Sequence, residues 1–252
     1  MSAAARLDVV RHLTAREFRL RYRRSTLGWT WAVLMPLARL SVLAYVFTRV
    51  IPLDVPDYVA FLYTGLLAWL WFAAGVASAT SSVVDRSDLL LRPGFDRDSI
   101  PLTACLGDAI DYLIALPLLL GWIVVRDGIA PSALAVVPLA ISELALILGV
   151  GYLLAPLHVY SRDVAKVVDV ALLVGFYATP VLYEPSRVPA SFAVVNDVNP
   201  MARIIAAQRL ALVDQRWPSA GSVLVVAVSC LAVLALGVAV FRRTSPLLID
   251  EL

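Results

Sequence analysis

S-V-L-V-V-A-V-S-C-L-A-V-L-A-L-G-V-A-V-F, residues 222–241, is a run of twenty residues without a single charge, closed by Arg242-Arg243. About 20 apolar residues in helical form span the hydrocarbon core of a bilayer, so this run reads as a membrane crossing with a basic anchor at its end. Five comparable runs precede it, at 29–50, 59–83, 102–125, 131–159 and 167–182, parted by segments that carry charge, Pro or Gly. The chain of 252 residues is 61% hydrophobic and only 16% charged, with a mean hydropathy of +0.84, whereas soluble domains are about 45–50% apolar. The sequence therefore predicts an all-α integral membrane protein with six transmembrane helices. It leaves no room for a large soluble catalytic domain.

Six crossings place both termini on one side. Of the 21 cationic residues, the N-terminal tail, the loops 86–97 and 162–166 and the Arg242-Arg243 pair hold 14, and the opposite loops hold 6. Lys and Arg accumulate on the cytoplasmic side of membrane proteins, which predicts cytoplasmic termini. Within the tail, residues 4–24 carry Leu7, Val10, Leu13, Phe18 and Tyr22 among seven arginines, including Arg16, Arg19, Arg21, Arg23 and Arg24. That pattern predicts an amphipathic helix lying in the headgroup region rather than crossing. The Arg-rich stretch is too long for a signal n-region and no small-residue cleavage site follows, so the N-terminus is expected to be retained. Between the fifth and sixth crossings, 183–221 contains Pro185, Pro189, Pro200 and Pro218 around apolar runs at 192–195 and 202–213. Neither run can span, which predicts one or two short external helices, interfacial or re-entrant.

Residues suited to covalent chemistry are scarce. Cys105 and Cys230 each sit in an apolar run, His12 and His158 are the only histidines, and Lys166, the only lysine, follows Ala165 rather than a glycine-rich turn. A P-loop, which holds phosphates through backbone N–H groups and a lysine, is therefore missing, as are the zinc-peptidase and nucleophile-elbow motifs. No catalytic or metal-binding residue is assigned. Arg39 in the first crossing and Glu143 in the fourth fall at similar depth near the midplane, where charge is costly by roughly 2.5 kcal/mol or more. They either pair, line a common polar path, or are satisfied separately. Asp108 and Asp111, three apart, share one helix face, either as a solvated helix end or as a substrate contact; Asp169 carries the same ambiguity. Trp69, Trp71, Phe72, Phe176 and Tyr177 are candidates for a conduit lining, because aromatic faces stack on sugar rings, although aromatics also form membrane belts and packing.

The stretch Arg21-Tyr22-Arg23-Arg24-Ser25-Thr26-Leu27-Gly28-Trp29, continuing through Trp31 to Pro36, is followed by Arg162-Asp163, by Phe176-Tyr177-Ala178-Thr179-Pro180-Val181-Leu182-Tyr183, by Asn199-Pro200, and by Phe241-Arg242-Arg243 with Asp250. In that order, over essentially the whole chain, these motifs resemble the membrane subunits of ABC-2-type polysaccharide exporters, which serve O-antigen, teichoic acid and galactan. The resemblance implies a single transmembrane domain over 1–252: an interface helix within 1–28, five spans over 29–182, an external segment at 183–221, and the sixth span with its tail at 222–252. It further implies a homodimer with two copies of a separate ATP-binding cassette subunit that holds ATP and Mg, in a bacterial plasma membrane. The substrate would be a lipid-linked polysaccharide, with no nucleic acid involved. The interface helix and the loop 85–101 would contact the ATPase, through Arg86, Arg92, Phe95, Asp96, Arg97 and Pro101. Phe95-Asp96 and Ile100-Pro101 stand where the family usually has Phe-Pro and Leu-Pro. On independent grounds, the mixed charges of that loop suit electrostatic docking, and the arginines of the tail suit anionic lipid; a solvated loop and a simple topology anchor are the plainer readings. Two rivals to glycan export remain, an ABC-2 permease for a small hydrophobic compound or drug, and an integral membrane enzyme of lipid-linked sugar metabolism.

Overall fold

A computed structural model of the protein describes residues 3–23, 25–53, 55–90, 95–185 and 196–248, and all regular structure among them is helical. The chain runs through α1 (Ala3–Tyr22), α2 (Trp31–Tyr45), α3 (Tyr58–Asp85), α4 (Ser87–Leu90), α5 (Ser99–Asp127), α6 (Val136–Tyr160), α7 (Asp163–Ala178), α8 (Pro200–Leu212) and α9 (Ala220–Thr244). Short 3-10 turns lead into α2 (Gly28–Thr30) and α6 (Pro131–Ala135), and a π-helical turn (Val46–Val50) extends α2. With these turns, five helices among the described residues are long and apolar enough to cross a bilayer: Gly28–Val50, Tyr58–Asp85, Ser99–Asp127, Pro131–Tyr160 and Ala220–Thr244.

The expected crossing at 167–182 takes a different form. Its helix, α7, has 16 residues, a rise of about 24 Å against a hydrocarbon core of about 30 Å. The six-crossing expectation therefore meets five helices of sufficient length and one that is short. The stop has a local cause. Thr179 precedes Pro180, and a proline ring excludes α-helical backbone from the residue before it; Thr179 is extended, at φ −86° and ψ 141°. The broken chain is then fastened. Tyr58 Oη, at the first residue of α3, donates to the Leu182 carbonyl at 2.9 Å, and Asn199 Nδ2 donates to Thr179 Oγ1 at 2.8 Å.

At the centre lies α3, buried along its length through Leu62, Leu66, Val76, Ala79 and Val83 and flanked by α5 and α6. Helix α6 in turn packs along α9. Lipid is as apolar as leucine, so association in a bilayer depends on close packing rather than water exclusion, and small residues permit it. Gly149 of α6 and Gly237 of α9 meet at such a crossing. A Cβ on Gly149 would lie 2.6 Å from the backbone nitrogen of Leu234, and one on Gly237 would lie 2.2 Å from the Gly149 carbonyl oxygen. Buried hydroxyls of Thr64, Thr80 and Ser142 donate to the carbonyls one turn earlier, which satisfies them without a partner helix.

The two ends of the bundle are dressed differently. Helix α8 lies across one end against α3, α6 and α9. It is started by Asn199, whose side chain accepts from Met201 N, with Pro200 in its first turn. Ser132 Oγ donates to the Ala211 carbonyl there at 2.8 Å. At the other end, α1 packs along α5, beside the end of α3 and the start of α5. The expected apolar run at 192–195, together with Arg24, Arg92, Pro189 and Asp250, lies outside the described residues.

Candidate functional site

Helix α1 is held by ion pairs that the sequence separates widely. Arg21 bridges both acids of α5: its Nη2 lies 2.8 Å from Asp108 Oδ1 and its Nη1 meets Asp111 Oδ2. Tyr22 Oη donates to Asp111 Oδ1 at 2.9 Å. Burial first, then the hydrogen bond to Asp111 and its charge, push the Tyr22 phenol up to about 12, so it stays a proton donor at any physiological pH. One turn and more upstream, Glu17 Oε1 pairs with Arg86 Nη2 at 2.5 Å. Asp108 and Asp111 are thus neither a bare helix end nor free; they anchor the helix that carries Arg16 and Arg19, which remain exposed, as does Arg23 just past its end.

The segment expected to touch an ATPase is engaged mainly with its own chain. Arg86 Nη1 also donates to the Ile100 carbonyl at 3.1 Å, and Arg97 Nη1 to the Ser245 carbonyl at 3.1 Å. Asp96 accepts from Ser99 Oγ at 3.1 Å. Asp98 pairs with Arg242 Nε at 2.8 Å, and its carbonyl accepts from Tyr152 Oη at 2.7 Å. Phe95 packs against the core, and Pro101 is buried in the first turn of α5. Among the described residues of this segment, Asp85 and Asp88 are the exposed ones. They border a cleft of about 280 Å³ between α1 and α4, with Arg16, Glu17 and Arg86 on its walls.

Between α2, α3 and α7 opens a larger groove of about 850 Å³. Trp69, Phe176 and Tyr177 form its aromatic wall: ring centroids lie 6.1 Å apart for Trp69 and Phe176 and 5.2 Å apart for Phe176 and Tyr177. Phe72 stacks obliquely behind Trp69 at 5.4 Å. Arg39 and Asp169 supply one charge of each sign to the lining, and among the described residues Arg39 makes no ion pair. Trp71 faces another cavity, of about 260 Å³, which shares Arg39, Leu70 and Ala74 with the groove. Four of the five aromatic candidates thus adjoin the two spaces directly.

Arg39 and Glu143 are not brought together. Glu143 is fully buried in α6, and Gln208 Nε2 of α8 donates to its Oε2 at 3.2 Å. The neighbouring Arg209 is not among the candidate residues that the sequence singles out. It is 7% exposed and places its guanidinium carbon 3.4 Å above the Phe61 ring centroid. From there it donates to the carbonyls of Phe61 at 3.1 Å, Pro180 at 2.6 Å and Val181 at 2.6 Å. Polar Gln208-Arg209 inside the apolar run 202–213 was the available signal.

Residues 8–213 match the ABC-2 type transporter family. The chain belongs to that family. This ABC-2 chain is 29% identical over 205 residues to the O-antigen export system permease protein RfbA of Klebsiella pneumoniae, covering 80% of this chain and 79% of the relative. It is 30% identical over 211 residues to a protein of the same name from Myxococcus xanthus, covering 82% and 81%. An ABC-2 permease draws on ATP hydrolysed by a separate subunit, and the chain is a multi-pass membrane protein of that kind.

Proposed function

We propose that the chain is the transmembrane subunit of an ATP-driven exporter that carries a lipid-linked polysaccharide from the cytoplasmic to the outer side of a bacterial plasma membrane. The observation that carries this is the similarity to O-antigen export permeases along some four fifths of the chain. The groove of Trp69, Phe176 and Tyr177 supplies a surface suited to sugar rings, because aromatic faces accept the apolar faces of pyranoses while Arg39 and Asp169 can meet hydroxyls. Helices α2 and α7 flank the groove and leave most of their apolar side chains uncovered, including Met35, Val42, Leu173 and Val174. A second copy of the chain closes the groove there into a conduit, which makes the transporter a homodimer.

Helix α7 supplies the sixth crossing. It starts just after α6 ends, and its trailing turn reaches Tyr58 at the opposite end of α3, while α8 fills the remaining depth as a re-entrant cap on the outer side. Both termini then lie in the cytoplasm with α1 in the headgroup layer, its arginines facing anionic lipid. Two copies of an ATP-binding subunit, which hold the ATP and Mg, dock at the cleft between α1 and α4. Their movement passes through Glu17–Arg86 and Arg21–Asp108 into α3 and α5. Deleting the gene should remove a glycan from the cell surface while its lipid-linked form accumulates inside. Unchanged surface glycan with altered tolerance to a hydrophobic compound would replace this reading by drug export, and unchanged composition of both would end it.

A further inference from the structure

Two flanks of α2 border different spaces. Ala38 and Val42 line the aromatic groove. Leu37, Ser41 and Ala44 share another side of the helix, being spaced i, i+4 and i+7, and line a separate crevice of about 370 Å³ against Tyr63 of α3 and Leu118 and Trp122 of α5. This crevice opens sideways, at the end of the bundle opposite α1: Leu118 is 39% exposed and Trp122 43%. The hydroxyls in its walls are already used, since Tyr63 Oη donates to the Ala115 carbonyl at 3.3 Å and Ser41 Oγ to the Leu37 carbonyl at 2.7 Å. Aliphatic and aromatic surface remains, on which sugar hydroxyls or water would go unpaired. An empty gap there would forfeit dispersion contacts, so hydrocarbon is the occupant that fits.

The mouth of the crevice carries charge of both signs. Leu118, Trp122 and Arg126 follow one another at intervals of four on α5 and form one ladder, apolar below, amphipathic at Trp122 and cationic at the top. Arg126 is held by Asp57 at 2.9 Å. That leaves Arg49, little more than a turn beyond Ala44 on the α2 side, and Asp127, the last residue of α5; both are exposed, and neither makes an ion pair among the described residues. From Leu118 to Arg126 the rise is about 12 Å, within the depth of one leaflet, about 15 Å of a 30 Å core.

We infer that the crevice between α2, α3 and α5 seats one acyl chain of a zwitterionic phospholipid, with its phosphate at Arg49 and its amine at Asp127. One unpaired cation and one unpaired anion complement such a headgroup, where an anionic lipid would leave Asp127 facing like charge. The depth of a single leaflet suits an acyl chain better than the carrier lipid of an exported glycan. The second copy proposed above takes the α7 flank of α2, which leaves this flank to the bilayer. The site depends on α2, α3 and α5 crossing the membrane and on no assumption about what is exported.

The test uses the permease with its ATP-binding subunit in dodecyl maltoside micelles. The probe is phosphatidylethanolamine with a diazirine on one acyl chain, and labelled peptides are mapped by mass spectrometry. Helix α9, where Leu224 and Val228 are 63% and 57% exposed, reports non-specific contact with lipid. Labelling of the segments 37–44 and 118–122 should exceed that of α9 and be competed by unlabelled phosphatidylethanolamine, but not by diacylglycerol or a polyprenyl phosphate. Ala44→Phe fills the crevice and should abolish the excess. Arg49→Gln and Asp127→Asn, at exposed positions that leave folding intact, should each weaken it about fivefold, the factor one charge near a lipid headgroup commands. Labelling equal to that of α9, an excess undiminished in any of the three variants, or equal competition by diacylglycerol would overturn the site. Labelling below that of α9 would mean that protein covers the crevice, and displacement by polyprenyl phosphate alone would give it to the carrier lipid; either result also overturns it.

Discussion

Arg209 of α8 sits over Phe61 of α3, 3.4 Å from the ring centroid, and ties it to the broken end of α7 through the Pro180 and Val181 carbonyls. One side chain therefore joins three elements at the end of the bundle where α7 stops. Pro180 stops α7, and the carbonyls of Pro180 and Val181 need donors that no helix supplies. A lysine cannot serve three acceptors in a plane while lying flat on a ring. Arg209→Lys should cost on the order of 3 kcal/mol, because buried carbonyls are left unpaired, and lower the melting midpoint by roughly 6–12 °C. Thermal unfolding of the purified protein reads this directly, and a wild-type midpoint would show that α8 is held by apolar packing alone.

Arg21 compensates two carboxylates, of which Asp108 is 4% exposed. Arg21→Ala leaves that buried charge without its cation, and partial exposure of Arg21 and Asp111 moderates the loss. A cost of about 1.4 kcal/mol to α1 docking makes the undocked helix tenfold more populated. Trypsin cleavage at the exposed Arg16, Arg19 and Arg23 should accelerate by that factor, and exchanging the charges as Arg21→Asp with Asp111→Arg should recover part of it. Cleavage at the wild-type rate in Arg21→Ala would remove Arg21 as the anchor.

The same clamp has a defined alkaline limit. Tyr22 titrates near 12 when docked, raised chiefly by burial and then by Asp111, and near 10 when free. The undocked phenol loses its proton first, so the contribution of Tyr22 is complete below pH 10 and fades as pH rises towards 12. A spin label at Arg19→Cys should gain mobility across that window, and Tyr22→Phe should flatten the change. A transition of equal size in the Tyr22→Phe protein would place the titrating group elsewhere.

Helices at 222–241 and 59–83 were legible because an uncharged run of bilayer length has few alternatives, and α1 was legible from Leu7, Val10, Leu13 and Phe18 among arginines. The spacing of Asp108 and Asp111 gave their common face; their partner Arg21 could not be read, since a pair so distant in sequence is set by how α1 lies on α5. Depth alone leaves the alternatives for Arg39 and Glu143 open. Equal rise along two helices says nothing about azimuth, and Glu143 faces Gln208 of α8 while Arg39 faces the groove. The short α7 was written in Thr179-Pro180, a step that disfavours helix, yet the hydropathy of Val181 and Leu182 carried the expected span past it. From sequence Arg209 reads only as a loop cation, because the packing of α8 against α3, α6 and α9 is set by tertiary structure.

Glycine at 149 should be irreplaceable. Its absent Cβ would stand 2.6 Å from the Leu234 backbone nitrogen, and a backbone cannot swing aside as a side-chain tip can. Gly149→Val should part α6 from α9 at a cost of about 1–3 kcal/mol. Gly121 of α5 meets nothing within 4 Å, so Gly121→Ala should instead stabilise by up to about 1 kcal/mol through helix propensity. Melting midpoints that move in opposite directions check the pair; a stable Gly149→Val protein would mean the crossing tolerates separation.

Tyr177 separates a conduit from a packing role. It is 62% exposed, lines the groove and touches Phe176, and its carbonyl, which accepts from Tyr183 Oη at 3.2 Å, survives any side-chain change. Exposed positions away from buried networks shift stability by about 0.5 kcal/mol or less, so Tyr177→Ala should fold and melt as the wild type does. If sugars slide over this ring, losing an aromatic contact of about 0.5–1.5 kcal/mol should slow export by roughly two- to tenfold. Tyr177→Phe should retain export, whereas Tyr177→Leu, apolar and of similar bulk but without a π face, should behave as the alanine variant. Surface glycan measured in cells expressing each variant at equal level decides between the roles: full export with leucine would make Tyr177 a contact between helices and move the conduit away from α7.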